Sequence, residues 1–260
     1  MVNIGFIGTG NMATSIIRSL KSEDCSIIAS DKNRDKLVKE ELQIQTTDSN
    51  KEVVEKSDIL FLCVKPKDID DVLIEIKELV KDKVVISIAA GIKIESIENV
   101  IGADKKVVRV MPNINCFVGE VAAAYSFNGN VENKDKEVVH KLLNAAGLAI
   151  EVNEEKMDSV TALSGSGPAF VAYLLEAFAQ AGEKQGLDKE ISYKLALQTF
   201  FGTSKMLKEG GMSAEELIKK VSSPGGTTIE GLEVLEKSGV KDIIDKTIGA
   251  AARRSKELGK

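Results

Sequence analysis

The chain has one histidine, no tryptophan, three cysteines and four prolines in 260 residues. The lone His140 lies among charged residues and reads as a surface helix residue. Ser-His-Asp and Cys-His nucleophilic sites and histidine-based metal centres therefore have no histidine to use, and no metal site is expected. Cys25, Cys63 and Cys116 are odd in number and widely spaced, which fits neither a disulfide framework nor a zinc knuckle. Apolar runs such as 84–90 fall far short of the roughly 18 residues a spanning helix needs. The N-terminus reads directly as a strand, so no membrane partner and a cytoplasmic location are expected. An excess of base is also missing: 35 Lys+Arg stand against 40 Asp+Glu, for a formal charge of -5. With the basic residues scattered and few aromatics for base stacking, nucleic acid is not an expected partner.

What is present is an ordinary globular composition, 43% hydrophobic and 29% charged, with enough length for a sizeable core. Residues 2–7 form an apolar run, followed by a glycine turn and then by Met12, Ile16, Ile17 and Leu20 at helical spacing. Further strands are expected at 26–29, 59–64, 84–88, 106–111, 121–126 and 148–152, with helical stretches between most of them and a helix over 134–146. This alternation predicts an α/β chain with a Rossmann-type, doubly wound, mostly parallel sheet. After residue 154 strand signals stop, which divides the chain into a dinucleotide-binding domain at 1–153 and an all-α domain at 154–260. Breaks in the helical half are expected at 164–168, Gly186, Gly210-Gly211 and 222–226. Residues 169–182 are apolar or glycine except for Glu176 and Gln180, too much apolar surface for about one hundred residues to bury alone. Pairing with a second subunit is the economical answer, with Ala169, Ala172, Ala177, Ala179 and Ala181 permitting close helix contact. The alternative is the central helix of a monomeric bundle.

Gly8-x-Gly10-x-x-Ala13 is a dinucleotide fingerprint placed between a strand and a helix, with Asp31 twenty-one residues beyond Gly10. Gly8 permits the tight turn, Gly10 lets backbone approach a pyrophosphate, and Ala13 lets the helix pack on the strand; the helix N-terminus then attracts the anion. Asp31 can bind ribose hydroxyls and repel a 2′-phosphate, which favours NADH. Lys32 and Arg34 in the same loop can instead neutralise such a phosphate, so NADPH stays open. In the second half, Ser223-Pro224-Gly225-Gly226-Thr227-Thr228 precedes a helical pattern. Thr227 and Glu230 form a capping-box pattern that leaves Thr228 as the free hydroxyl, and the glycines expose N–H groups suited to a carboxylate. Ser164-Gly165-Ser166-Gly167-Pro168 is expected as a loop opening a helix, with Ser166 as its cap.

The segments 5–13, Val64-Lys65-Pro66, 87–91, 109–113, 164–169 and 221–228 together resemble pyrroline-5-carboxylate reductase, in order and over nearly the full length. The resemblance implies a Rossmann domain, a helical dimerisation domain, rings built of dimers, and NAD(P)H-dependent reduction of 1-pyrroline-5-carboxylate to L-proline, a proline-biosynthetic step. It implies a cofactor groove at Asn50, Val64, Lys65, Pro66, Ala89 and Ala90, adjoining the fingerprint residues Gly8, Thr9, Gly10, Asn11 and Met12, with Asn113 near the nicotinamide end; Asp31 and Arg34 are assigned to the cofactor from their own loop. It also implies substrate contacts from Val221, Ser223, Gly225, Gly226 and Thr227, and a hydrogen bond from the catalytic Thr228 to the ring nitrogen. Asp31 departs from the family pattern, which often has a small hydroxyl residue there.

A protonated cyclic imine is already electrophilic, so the missing histidine is no obstacle: the task is positioning, and Thr228 orients rather than donates the proton. Two rivals compete. A hydroxyacid dehydrogenase would want a lysine early in the long helix after the boundary, and that helix has none before Lys184; Tyr-x-x-x-Lys fails at Tyr125, Tyr173 and Tyr193. A nonenzymatic redox sensor would leave the 223–228 loop unexplained.

Overall fold

The computed structural model describes residues 2–21, 23–33 and 44–259. Strand β1 (Val2–Ile7) leads through the glycine turn into α1 (Asn11–Leu20), followed by β2 (Cys25–Ser30), β3 (Gln45–Thr47) and α2 (Asn50–Glu55). Next come β4 (Ile59–Leu62), α3 (Ile69–Ile76), β5 (Val84–Ser87), α4 (Ile94–Ile101), β6 (Lys106–Met111), β7 (Val121–Phe127), α5 (Asn133–Asn144) and β8 (Gly147–Glu151). These strands form one eight-stranded sheet ordered β3-β2-β1-β4-β5-β6-β7-β8. All neighbours are parallel except β6 and β7. The expected doubly wound, mostly parallel sheet is therefore present.

Strands β4 and β5 are apolar at every position but Ser87, because helices cover both faces of the sheet. Phe6 and Phe61 stack at 4.7 Å on one face, beneath Ile16, Ile17 and Leu20 of α1 and Leu142 and Leu143 of α5. Leu60, Leu62 and Val85 fill the other, beneath Val53, Val54, Leu73 and Ile97. Each such fully buried side chain contributes about 1.5–3 kcal/mol. His140 is exposed on α5, as expected, with its Nδ1 2.7 Å from the Tyr125 hydroxyl. The three cysteines are free. Among the described residues no helix is long and apolar enough to cross a membrane.

Beyond β8 the chain is helical: a short α6 (Met157–Val160), a π turn at Thr161–Gly165, α7 (Gly167–Lys184), α8 (Lys189–Glu209), α9 (Ala214–Val221), α10 (Thr227–Lys237) and α11 (Val240–Leu258). The expected break at 164–168 is not a loop, and Ser166 does not cap a helix. Its N–H instead donates to the Thr161 carbonyl at 2.8 Å, closing the π turn. The reason is tertiary: the Asn113 amide donates to the Ser164 carbonyl (3.0 Å), and the Ser164 hydroxyl donates to Ala122 O (3.0 Å). These bonds draw the segment onto β7 and override its local turn propensity. Accordingly, residues 1–166 with 251–260 form one compact unit and residues 167–250 a second.

Within the second unit α7 and α8 pack as a hairpin. The Ser192 hydroxyl donates to Ala179 O at 2.5 Å, and Phe178 meets Phe200 edge-on at 5.2 Å. Only Ala179, Ser192 and Leu217 of this unit are buried, while Val171, Phe178, Leu195 and Phe201 are each more than half exposed. A unit without an apolar interior of its own is not stable alone.

Candidate functional site

Two constellations carry chemistry, one in each unit. The first is the turn from β1 into α1. Gly8 has φ +94°, and a Cβ there would stand 2.8 Å from the Cys63 carbonyl oxygen, so the turn needs glycine on both counts. A Cβ on Gly10 would meet nothing within 4 Å. The space over that residue is open, as a cradle for a pyrophosphate requires. Gly10 occupies the N-cap of α1 without a side-chain cap, and the first helical bond runs from Thr14 N–H to its carbonyl at 3.0 Å. The N–H groups of Asn11, Met12 and Ala13 thus face out of the helix end, where they suit an anion. Ala13 is buried against the sheet.

Asp31 closes this loop from the end of β2. Its Oδ2 accepts from the backbone N–H of Thr9 at 2.8 Å and from the Thr9 hydroxyl at 3.2 Å, and its Oδ1 accepts from Asn33 N–H at 2.9 Å. Lys32 reaches Asp68 Oδ1 at 3.0 Å. That hydrogen bond, with the charges of Lys32, Lys67 and Lys65, holds the Asp68 carboxyl below the ordinary carboxylate range. Arg34 lies outside the described residues.

Of the remaining residues expected at the cofactor, Val64, Lys65, Pro66, Ala89 and Ala90 follow the carboxyl ends of β4 and β5. Val64 is half-buried, Lys65 and Pro66 are exposed, Ala89 is buried and Ala90 is exposed. Asn50 opens α2, where its amide oxygen accepts from Ser30 Oγ at 2.7 Å and its amide nitrogen donates to Glu75 at 2.7 Å. Asn113 is buried and both ends of its amide are engaged: it donates to Ser164 O and accepts from Ala122 N–H at 3.2 Å. That is a bracing geometry.

The second constellation is the turn between α9 and α10. The Gly226 N–H donates to Ser223 O at 3.0 Å, with Pro224 and Gly225 (φ +69°) as the central pair, which is a type II turn. The cap expected at Thr227 is not there. Gly226 occupies the N-cap with no side-chain bond, and Thr227 is the first helical residue. The helix thus starts one residue earlier than the capping-box pattern implies. Both threonine hydroxyls are consequently without a partner among the described residues, with Thr227 exposed and Thr228 half-buried. Val221, Ser223 and Gly225 are exposed around them. Free N–H groups at the start of an eleven-residue helix, two hydroxyls and no nearby histidine can clamp a small anion and orient a neighbouring atom.

Sequence reasoning missed Asp68 and the Arg109–Glu154 pair. Glu154 Oε1 accepts from buried Arg109 at 3.0 Å and from the Ile94 N–H that opens α4 at 2.8 Å. Partners 36 and 45 residues apart leave no periodic signal.

A family model described as "Pyrroline-5-carboxylate reductase dimerisation" matches residues 154–258, and one described as "NADP oxidoreductase coenzyme F420-dependent" matches residues 3–91. The chain is 39% identical over 260 residues to the pyrroline-5-carboxylate reductase of Aquifex aeolicus, spanning 99% of this chain and 97% of that one. The chain belongs to the pyrroline-5-carboxylate reductase family. The reductase of Methanosarcina acetivorans is also 39% identical, over 264 residues, covering 99% of this chain and 98% of its own. Among solved structures, the Coxiella burnetii reductase superposes with a TM-score of 0.96 at 36% identity, covering 100% and 99% of the two chains. The Plasmodium falciparum enzyme, solved with NADP bound, gives 0.86 at 34% identity, covering 100% and 98%. Both halves of this member of the family thus lie in the order their relatives have them.

Proposed function

We propose that this chain reduces 1-pyrroline-5-carboxylate to L-proline with a reduced nicotinamide dinucleotide. The observation that carries the reading is the 223–228 turn, with its unengaged Thr228 hydroxyl and open helix N-terminus, in a chain alignable end to end with such reductases. Each unit supplies half of the chemistry. In the first, the backbone N–H groups of Gly10, Asn11 and Met12 hold the pyrophosphate over the turn that Gly8 and Thr9 shape, Asp31 takes the adenosine ribose, and Asn50, Val64, Lys65, Pro66, Ala89 and Ala90 line the groove. The chemistry that the reduced nicotinamide supplies when bound is a hydride.

In the second unit, the N–H groups of Thr227 and Thr228 hold the substrate carboxylate, with Ser223, Gly225, Gly226 and Val221 around it. Thr228 Oγ1 accepts from the protonated ring nitrogen and so fixes the imine carbon's orientation. A threonine hydroxyl is too weak an acid to deliver the proton near neutral pH, so its work is orientation. Asn113 acts at the nicotinamide end by bracing the π turn. We read 1–153 as the dinucleotide domain and 154–260 as the dimerisation and substrate domain, supported by the start of the family match at residue 154. The exposed apolar side chains of the helical unit support a homodimer, itself the building block of a larger homo-oligomer.

The test follows loss of reduced-nicotinamide absorbance with 1-pyrroline-5-carboxylate and either cofactor. Turnover is expected. Its absence with both cofactors would overturn the reading and revive a nonenzymatic sensor.

A further inference from the structure

Ligands of open α/β sheets bind outside the carboxyl ends of the strands, where the strand order reverses. Here that point is β1, flanked by β2 on one side and β4 on the other. One ion pair joins the segments that follow those two flanking strands. Lys32, next to the ribose-facing Asp31, puts its ammonium 3.0 Å from Asp68, in the 3-10 turn Pro66–Asp68 just after Val64-Lys65. A 2′-phosphate attached at the ribose beside Asp31 would need a nearby cation, and Lys32 is the described cation next to Asp31 in the chain. It is already engaged. Asn50, at the same edge, likewise has its amide donated to a carboxylate, that of Glu75.

We propose that Asp68 is a specificity-determining residue for the dinucleotide: by holding Lys32, it withdraws one of the loop cations that can neutralise a 2′-phosphate and so favours NADH over NADPH. The inference rests on the dinucleotide site read above and adds to it a residue that acts through Lys32. Asp31 repels the phosphate directly; Asp68 removes one counter-ion. The pair is exposed on the lysine side, with Lys32 81% accessible against 24% for Asp68. The lysine can therefore swing to a competing anion, so the effect is graded.

The experiment titrates adenosine 2′,5′-bisphosphate and 5′-AMP into the full-length protein by calorimetry, for wild type, Asp68→Asn, Lys32→Met and the double variant. Asp68→Asn should raise the ratio of bisphosphate to AMP affinity by about two- to five-fold, the range of one exposed ion pair. Lys32→Met should lower it, and the double variant should match Lys32→Met alone. Steady-state kcat/KM ratios for NADPH against NADH should follow the same order. An unmoved ratio in Asp68→Asn, or a gain that persists without Lys32, would overturn the proposal while AMP binding left the site itself standing. Failure of wild type to bind either nucleotide would instead overturn the dinucleotide site, and this inference with it.

Discussion

Asp31 binds Thr9 twice, accepting its backbone N–H at 2.8 Å and its hydroxyl at 3.2 Å through the same carboxylate oxygen. The residue expected to read the ribose thus also fixes the shape of the glycine loop. Replacing Asp31 by Ala should raise KM for NADH about tenfold, the order of one lost hydrogen bond to a charged group, and should raise NADPH use relative to NADH. Wild type itself should favour NADH modestly. A kcat/KM for NADPH tenfold or more above that for NADH would defeat this assignment.

The two glycines of the turn should fail in opposite ways. Gly8→Ala places a Cβ against the Cys63 carbonyl at a positive φ, and should cost about 1–3 kcal/mol of stability. Gly10→Ala has open space and an ordinary φ of -63°, so its melting temperature should stay close to wild type. Its dinucleotide affinity should nonetheless fall, because the methyl stands where backbone must approach the pyrophosphate. Thermal melts with and without NADH separate the two outcomes.

The α7–α8 hairpin depends on Gly182. A methyl there would lie 2.1 Å from Ser192 Oγ, the hydroxyl that donates to Ala179 O. Gly182→Ala should therefore destabilise by about 1–3 kcal/mol, and Ser192→Gly in the same chain should restore part of the loss. Denaturant midpoints of the single and double variants check this.

Lys106, at the start of β6, is 2.7 Å from Asp135 and 3.3 Å from Glu132. The Asp135 hydrogen bond first, and then that of Glu132, raise its pKa above the ordinary lysine value against the opposing effect of burial. A cation whose pKa is raised by folding contributes stability that is fully present below the unfolded value of 10.5 and is lost as pH rises through the folded value. Lys106→Met should be less stable by about 1 kcal/mol at neutral pH. The gap to wild type should narrow as the pH is raised beyond that window.

The β1-α1-β2 start was legible because an apolar run, a glycine turn and helical spacing agree, and nothing distant competes with them. Strand β3 was not: Gln45-Thr46-Thr47 is three polar residues on the sheet edge, paired only to β2, with no alternation to detect. The 164–168 segment reads as a loop by its serines, glycines and proline, yet Asn113 and the Ala122 carbonyl claim Ser164 from more than forty residues away. At the 223–228 turn the residue types were readable, while the capping-box pattern placed the helix start one residue too late, since Gly226 takes the N-cap. The all-round apolar character of 169–182 was plain in the sequence, since burial of such a helix must come from somewhere, and its exposed side chains show it does not come from its own unit.

The central claim is that the unengaged hydroxyl of Thr228 orients the ring for hydride transfer, and replacing it tests that claim most directly. Measured with 1-pyrroline-5-carboxylate and saturating NADH, Thr228→Ala should lose about tenfold or more in kcat/KM while Thr228→Ser keeps most of it. An alanine variant with the wild-type kcat/KM would contradict the account.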